Sequence, residues 1–137
     1  WVLADQPFSG PAGTIGCLGV DHVVLRTNNL DETCDEVTRL TGAPRKRVRD
    51  AGNGVMQGFH RVGSVIIEVV AGGVPVEEPA LWGFVVNVVD LDAVCNHVGP
   101  DVIGQPKNAV QPGRRIATAR ATAGLGIPFA LMDTANK

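Results

Sequence analysis

VDHVVLRTNNLDETCDEV, residues 20–37, decides the fold, because a weaker copy of it, GFVVNVVDLDAVCNHV, returns at residues 83–98. Leu30, Asp31, Cys34 and Val37 of the first stretch find identical partners in Leu91, Asp92, Cys95 and Val98 of the second, each pair 61 positions apart. An apolar strand-like run, a polar helix start and an amphipathic helix therefore occur twice in one order. Self-similarity at a fixed offset is an architectural signal in its own right.

In residues 20–27, His22 and Arg26 fall on one side of a period-two alternation and Val23 and Leu25 on the other, which predicts a strand with an apolar side for a helix to cover. Asn29, followed three residues later by Glu32, predicts a capped helix that buries Leu30, Cys34, Val37 and Leu40 and ends at Gly42. RKRVRD, residues 45–50, predicts a charged edge strand, since no aromatic residues interleave it as a nucleic-acid surface would require. Residues 55–62 and 64–70 predict an antiparallel hairpin, and AGGVPVEEPAL, residues 71–81, holds a linker. The second copy then offers a strand at 82–89, Asp90 as a cap, a helix facing inward with Leu91, Val94, Cys95 and Val98, and a stop at Gly99 and Pro100. A weak edge strand at 101–108, interrupted by Pro106, a strand at 114–122 and a last strand at 127–132 complete it. Each copy reads strand, helix, strand, strand, strand. The expected fold class is α+β, with an irregular leader at 1–16, a βαβββ module at 17–72, a linker at 73–81 and a second βαβββ module at 82–134.

Composition bounds the function. With 137 residues, 45% hydrophobic and 19% charged, the chain is an ordinary globular domain, and its net charge of −2 gives no overall attraction to nucleic acid or an anionic membrane. No apolar run reaches the roughly 18 residues of a membrane span. Cys34 and Cys95 hold the same inward slot of the two helices, which predicts small buried hydrophobes rather than a disulfide, and with three cysteines in all a reducing cytoplasm is expected. The chain begins at Trp1, so a removed targeting peptide stays open. The glycine-rich AGNG and AGG are turns, because neither leads into a helix with the Lys and Ser or Thr of a phosphate loop. Neither an HExxH motif nor a nucleophile elbow is present.

A doubled βαβββ unit opened by DHVVLRTNNLD, residues 21–31, with GSVIIEVV, residues 63–70, closing the first half, resembles the vicinal oxygen chelate superfamily over residues 18–133. That superfamily includes glyoxalase I, extradiol dioxygenases, fosfomycin-resistance enzymes and bleomycin-binding proteins. The tail GRRIATARATAGLGIPFALMD, residues 113–133, resembles the glyoxalase-like branch. The resemblance implies a cup of curved mixed sheet with a divalent metal held by the first and last strands of each module. His22 and Glu68 stand at the first module's ligand positions, but Gly83 and Ala130 stand at the second's, and neither can bind metal. Two protein ligands fall short of the three or four that usually hold Zn²⁺, Fe²⁺ or Mn²⁺. The implied cofactor is thus either none or one divalent metal (Zn, Fe, Mn or Ni), and His22 with Glu68 is either a metal half-site or a hydrogen-bonded pair that needs no ion.

Alternation adds His60 to the expected inward set, in phase with Met56, Gly58 and Val62, while Gln57 and Phe59 point away. His97 falls on the solvent side of the second helix. Arg114 or Arg115, of which only one can face inward, is a candidate anchor for a carboxylate or enolate; the alternative is a surface salt bridge to Glu77, Glu78 or Asp101. Two functions follow from the resemblance. One is a binding protein of the bleomycin-sequestering kind, holding a small organic molecule over a degenerate metal site. The other is a metal-dependent lyase, isomerase or dioxygenase with His22 and Glu68 as ligands and Glu68 as a possible base. A homodimer is expected, with the apolar stretch 74–82 contributing.

Overall fold

A computed structural model describes residues 16–134, so the expected leader lies almost wholly outside the described residues. Eight strands and two helices follow in order: β1 (Cys17–Thr27), α1 (Leu30–Thr41), β2 (Arg45–Gly52), β3 (Val55–Val62), β4 (Val65–Ala71), β5 (Ala80–Val88), α2 (Leu91–Val98), β6 (Lys107–Asn108), β7 (Arg115–Thr118) and β8 (Phe129–Asp133). They form one curved mixed sheet in the order β2-β3-β4-β1-β5-β8-β7-β6. Within each half the first strand runs parallel to the last, and the two halves meet where β1 lies antiparallel to β5. No helix among the described residues is long and apolar enough to cross a membrane.

Both helices start as their caps dictate. Asn29 Oδ1 accepts from the Glu32 amide at 3.1 Å, and Asp90 Oδ1 accepts from the Ala93 amide at 3.0 Å, each satisfying a backbone donor that the first turn leaves free. Gly42 ends α1 in the left-handed conformation, φ 75°, where a side chain would be strained. Both helices cover the same face of the sheet. Leu30, Cys34 and Val37 of α1 pack on Leu25, Ile67 and Val69, while Leu91 and Val94 of α2 pack on Val88, Ala117 and Leu131. Leu40, expected in this seam, is 69% exposed; Thr33 takes an inward place instead, its hydroxyl donating to Thr27 Oγ1 at 2.8 Å. The three cysteines are free thiols, and burial pushes the Cys34 thiol up, which makes it a poor nucleophile.

The second half is less regular than its sequence suggests. Of the expected strand at 101–108 only two residues pair as β6, at the sheet edge where Pro106 removes a donor, and β7 stops at Thr118 before a short 3₁₀ turn, Ala121–Ala123. The β1–β5 ladder is irregular too. Its register slips between Cys17 and Gly19, between Val20 and His22, and between Val24 and Leu25. The second slip makes Asp21 an extra residue in β1, and a bulge of this kind bends the strand and sends neighbouring side chains to one face.

Candidate functional site

The helix-free face of the first half gathers titratable side chains. Parallel pairing sets His22 beside Ile66 and Val24 beside Glu68, so His22 and Glu68 share that face, with His22 Nε2 3.8 Å from Glu68 Oε2. At that distance no hydrogen bond joins them. The bulge at Asp21 brings a second carboxylate to the same imidazole: His22 Nδ1–H donates to Asp21 Oδ2 at 2.7 Å. Asp21 is nine-tenths buried, and its other oxygen accepts from Asn87 Nδ2 at 3.0 Å and from Arg114 Nη2 at 3.1 Å. The His22 bond, with help from Asn87 and Arg114, holds the Asp21 carboxyl well below the usual carboxylate range against the opposing effect of burial. An ionised Asp21 only accepts, which fixes the proton of His22 on Nδ1 and leaves Nε2 turned toward Glu68.

Glu68 has the opposite balance. Burial pushes its carboxyl up, and the charge of His22, the amide of Gln57 and the charge of Arg49 only partly offset this. Gln57 Nε2 donates to Glu68 Oε1 at 2.5 Å, and Gln57 Oε1 accepts from Arg49 Nη1 at 2.7 Å. Arg49, Gln57 and Glu68 thus form one hydrogen-bonded run, and Asp21 with His22, Asn87 and Arg114 forms another. The 3.8 Å gap between His22 and Glu68 separates them. Beyond His22 the face turns apolar: Val85 pairs with His22 and Ala130 with Val85, and these two cluster with Met132 and Ile116.

Not every expected residue arrives there. His60 is a correction: it lies on the helix-covered face, 1% exposed, with Nδ1–H donating to the Ala43 carbonyl at 3.1 Å and Nε2 unpartnered among the described residues. Met56, in phase with it, goes to that face as well, and Gln57 and Phe59 take the open one. The hairpin sets this phase. Its turn at Gly63 and Ser64 pairs Val62 with Val65, which puts Phe59 opposite Glu68. Counting back from that two-residue turn would have found Gln57; alternation taken on the strand alone did not. Asp21 lacks any such signal, because strict alternation sends it away from His22.

Of the two candidate arginines, Arg114 faces inward. It is already engaged by Asp21, Asn87 and the Asp133 carbonyl. Arg115 turns outward to Asp92 and Asp133. Neither pairs with Glu77, Glu78 or Asp101, and Arg114 is better described as a clamp on Asp21 than as a free anchor. His97 is exposed, as its phase predicts.

The residues do not fit a metal. Two donors converge, and among the described residues no group of three or more His, Cys, Asp or Glu side chains is arranged to hold an ion. At one of the second half's two expected ligand positions a side chain has no room: a Cβ on Gly83 would lie 2.5 Å from the Pro128 carbonyl oxygen. A cavity of about 370 Å³ lies elsewhere, between α2 and residues 99–106, beside Cys95, Ile103 and Gln105. Its one acid, Asp92, is paired with Arg115.

No family model and no curated protein matches the sequence. Solved structures do match in shape. Methylmalonyl-CoA epimerase from Mycobacterium tuberculosis superimposes with a TM-score of 0.74 at 18% identity, covering 90% of this chain and 93% of that one. The Streptomyces coelicolor methylmalonyl-CoA epimerase in complex with 2-nitronate-propionyl-CoA gives 0.70 at 15% identity, over 88% of this chain and 100% of that one. A hypothetical protein from Bacillus halodurans C-125 gives 0.70 at 11% identity, over 86% and 95%. Similarity at this level carries the fold and not the ligand. The chain has the α+β, doubled βαβββ fold of the vicinal oxygen chelate superfamily, to which these epimerases belong.

Proposed function

We propose that the protein binds a small organic molecule on the helix-free face, with His22 and Glu68 touching the ligand and no resident metal. One observation carries this: an imidazole nitrogen and a carboxyl oxygen face each other at 3.8 Å, too far apart to satisfy one another, with paired side chains behind both. A ligand hydroxyl or carbonyl, or a water, fills that gap and meets both groups. Ile116, partly buried against the core of Val85, Ala130 and Met132, gives the site an apolar border on one side, the usual mixture of a small-molecule site. This is the sequestering, bleomycin-binding end of the superfamily resemblance rather than the metal-enzyme end. Because burial favours the protonated form of Glu68 and Asp21 orients His22, the pair is also suited to exchange a proton with a bound ligand without metal. Three free thiols suit a reducing compartment, and we place the protein in the cytoplasm.

The test is a fragment titration followed by amide chemical shifts. Shifts should centre on His22, Gln57, Phe59 and Glu68 and should disappear in Glu68→Gln. Freshly purified protein should carry no stoichiometric transition metal by mass spectrometry. Ligands that shift only residues around Cys95 and Ile103, or a metal at one per chain, would overturn the proposal.

A further inference from the structure

The chain is acidic overall, yet its positive charge is not spread evenly. Six of its twelve Lys and Arg residues, Arg26, Arg45, Lys46, Arg47, Arg49 and Arg61, fall within β1, β2 and β3. Register shows which of them share the site's face. Arg47 pairs with Phe59, and Phe59 with Glu68; Arg49 pairs with Gln57; Arg61 pairs with Ile66, and Ile66 with His22. Arg47, Arg49 and Arg61 therefore stand on the helix-free face beside His22 and Glu68, and Glu68 is the only acid among the β2, β3 and β4 positions of that face.

None of the three forms a salt bridge among the described residues. Arg47 lies over the Phe59 ring, 4.7 Å from its centre, Arg49 donates to Gln57, and Arg61 has no side-chain hydrogen bond there. The other basic residues of these strands are accounted for. Arg45 pairs with Asp31, and Arg26 donates to the Gly72 carbonyl and lies 5.9 Å from the Trp82 ring. Protection of a sheet edge explains Lys46 on β2, but not Arg61, since β3 is flanked on both sides by β2 and β4. With Arg26, which the same register puts on this face, and Arg114 beside His22, five cations stand against the two carboxyls of Glu68 and Asp21, and the surplus makes a local field that favours an anion.

We infer that the ligand of the helix-free face is an anion, whose carboxylate or phosphate group is held by Arg47 and Arg61 while its uncharged part extends over Phe59 and Ile66 toward His22 and Glu68. The inference rests on the proposed binding function and names its ligand class. Arg61 and His22 are two strands apart, about 10 Å between backbones, so a molecule of a few atoms bridges the arginine head and the imidazole. Arg49 stays committed to Gln57 and tunes Glu68. Arg47 and Arg61 meet the anion.

The experiment is calorimetric titration of the full chain with malonate, inorganic pyrophosphate and neutral malonamide, at low and at high salt. Malonate or pyrophosphate should bind, and high salt should weaken that binding. Arg47→Gln/Arg61→Gln should weaken it at least about tenfold, a loss of about 1.4 kcal/mol. Arg61→Lys, which keeps the charge but loses the planar fork, should bind more weakly than wild type and more tightly than the double variant, and Lys107→Gln, in the other half, should stay within about threefold of wild type. Binding of malonate alone assigns a carboxylate, of pyrophosphate alone a phosphate, and of both a general anion site. Malonamide binding as tightly as malonate, or wild-type affinity in the double variant, overturns the inference while leaving the binding function intact. If none of the three binds, the inference is likewise overturned, and the fragment titration decides the binding function separately.

Discussion

At the scale of single residues, two carboxylates a few ångströms from one imidazole have been given opposite characters. Glu68 is the more exchangeable. Burial raises its pKa above that of an unfolded glutamate, so the folded state holds the proton more tightly, and stability declines as pH rises through the interval between the two values. Glu68→Gln removes that cost and keeps an acceptor for Gln57. It should leave the melting temperature at pH 7 unchanged or higher while weakening ligand binding, and thermal denaturation beside the fragment titration checks both halves. A large fall in melting temperature with intact binding would make Glu68 structural. Asp21 works the other way: its pKa is depressed, so its stabilisation is present above the unfolded value near 3.8 and is lost as pH falls toward the folded one. Asp21→Asn leaves Arg114, 13% exposed, and His22 without their anion. Breaking a buried ionic contact on one side should cost about 3 kcal/mol by denaturant unfolding at pH 7, and the variant should lose less stability than wild type on acidification below about pH 4.

Among the elements, the contact of α1 with β3 sets the tightest constraint. A Cβ on Gly58 would stand 2.7 Å from Cys34 Sγ, 3.2 Å from Arg45 Cδ and 3.4 Å from Leu30 Cδ1. The helix can cross the sheet closely here because β3 presents no side chain. Gly58→Ala should therefore cost about 1–3 kcal/mol through displacement of α1. A value near zero in equilibrium denaturation would show that the seam is looser than this spacing implies. Strand β1 serves the site through irregularity instead. Its extra residue costs ladder regularity but puts Asp21 and His22 on one face, which strict alternation forbids.

Across the whole molecule, the two halves keep one topology and have diverged in content. The first half's open face is charged and polar, and the second's, around Val85, Ala130 and Met132, is apolar and buried. Divergence is built into the backbone as well, since the Pro128 carbonyl fills the place where a side chain at Gly83 would begin. Leu81 and Trp82 are about half exposed and Val74 is more so, a run of exposed apolar side chains along the connection between halves and the start of β5. We expect a second copy of the chain to cover it, giving a homodimer; sedimentation velocity showing a monomer at micromolar concentration would remove that expectation, and Trp82→Ser should shift the dimer toward monomer.

What the sequence determined by itself is what rests on local or periodic information. The offset of 61 and the caps at Asn29 and Asp90 fixed both helices to the residue, because an N-cap is a contact over three residues and needs no tertiary partner. The pairing of His22 with Glu68 was available from the superfamily resemblance, and the alternation of β1 and β4 agrees with it. Tertiary structure decided the rest. The turn register sent His60 under α1 and brought Gln57 out, and partners 66 and 93 residues away made Asp21 a clamped anion. Those outcomes depend on which strand lies beside which, and on a single inserted residue in one ladder, and neither is written in the hydrophobic period of any one strand.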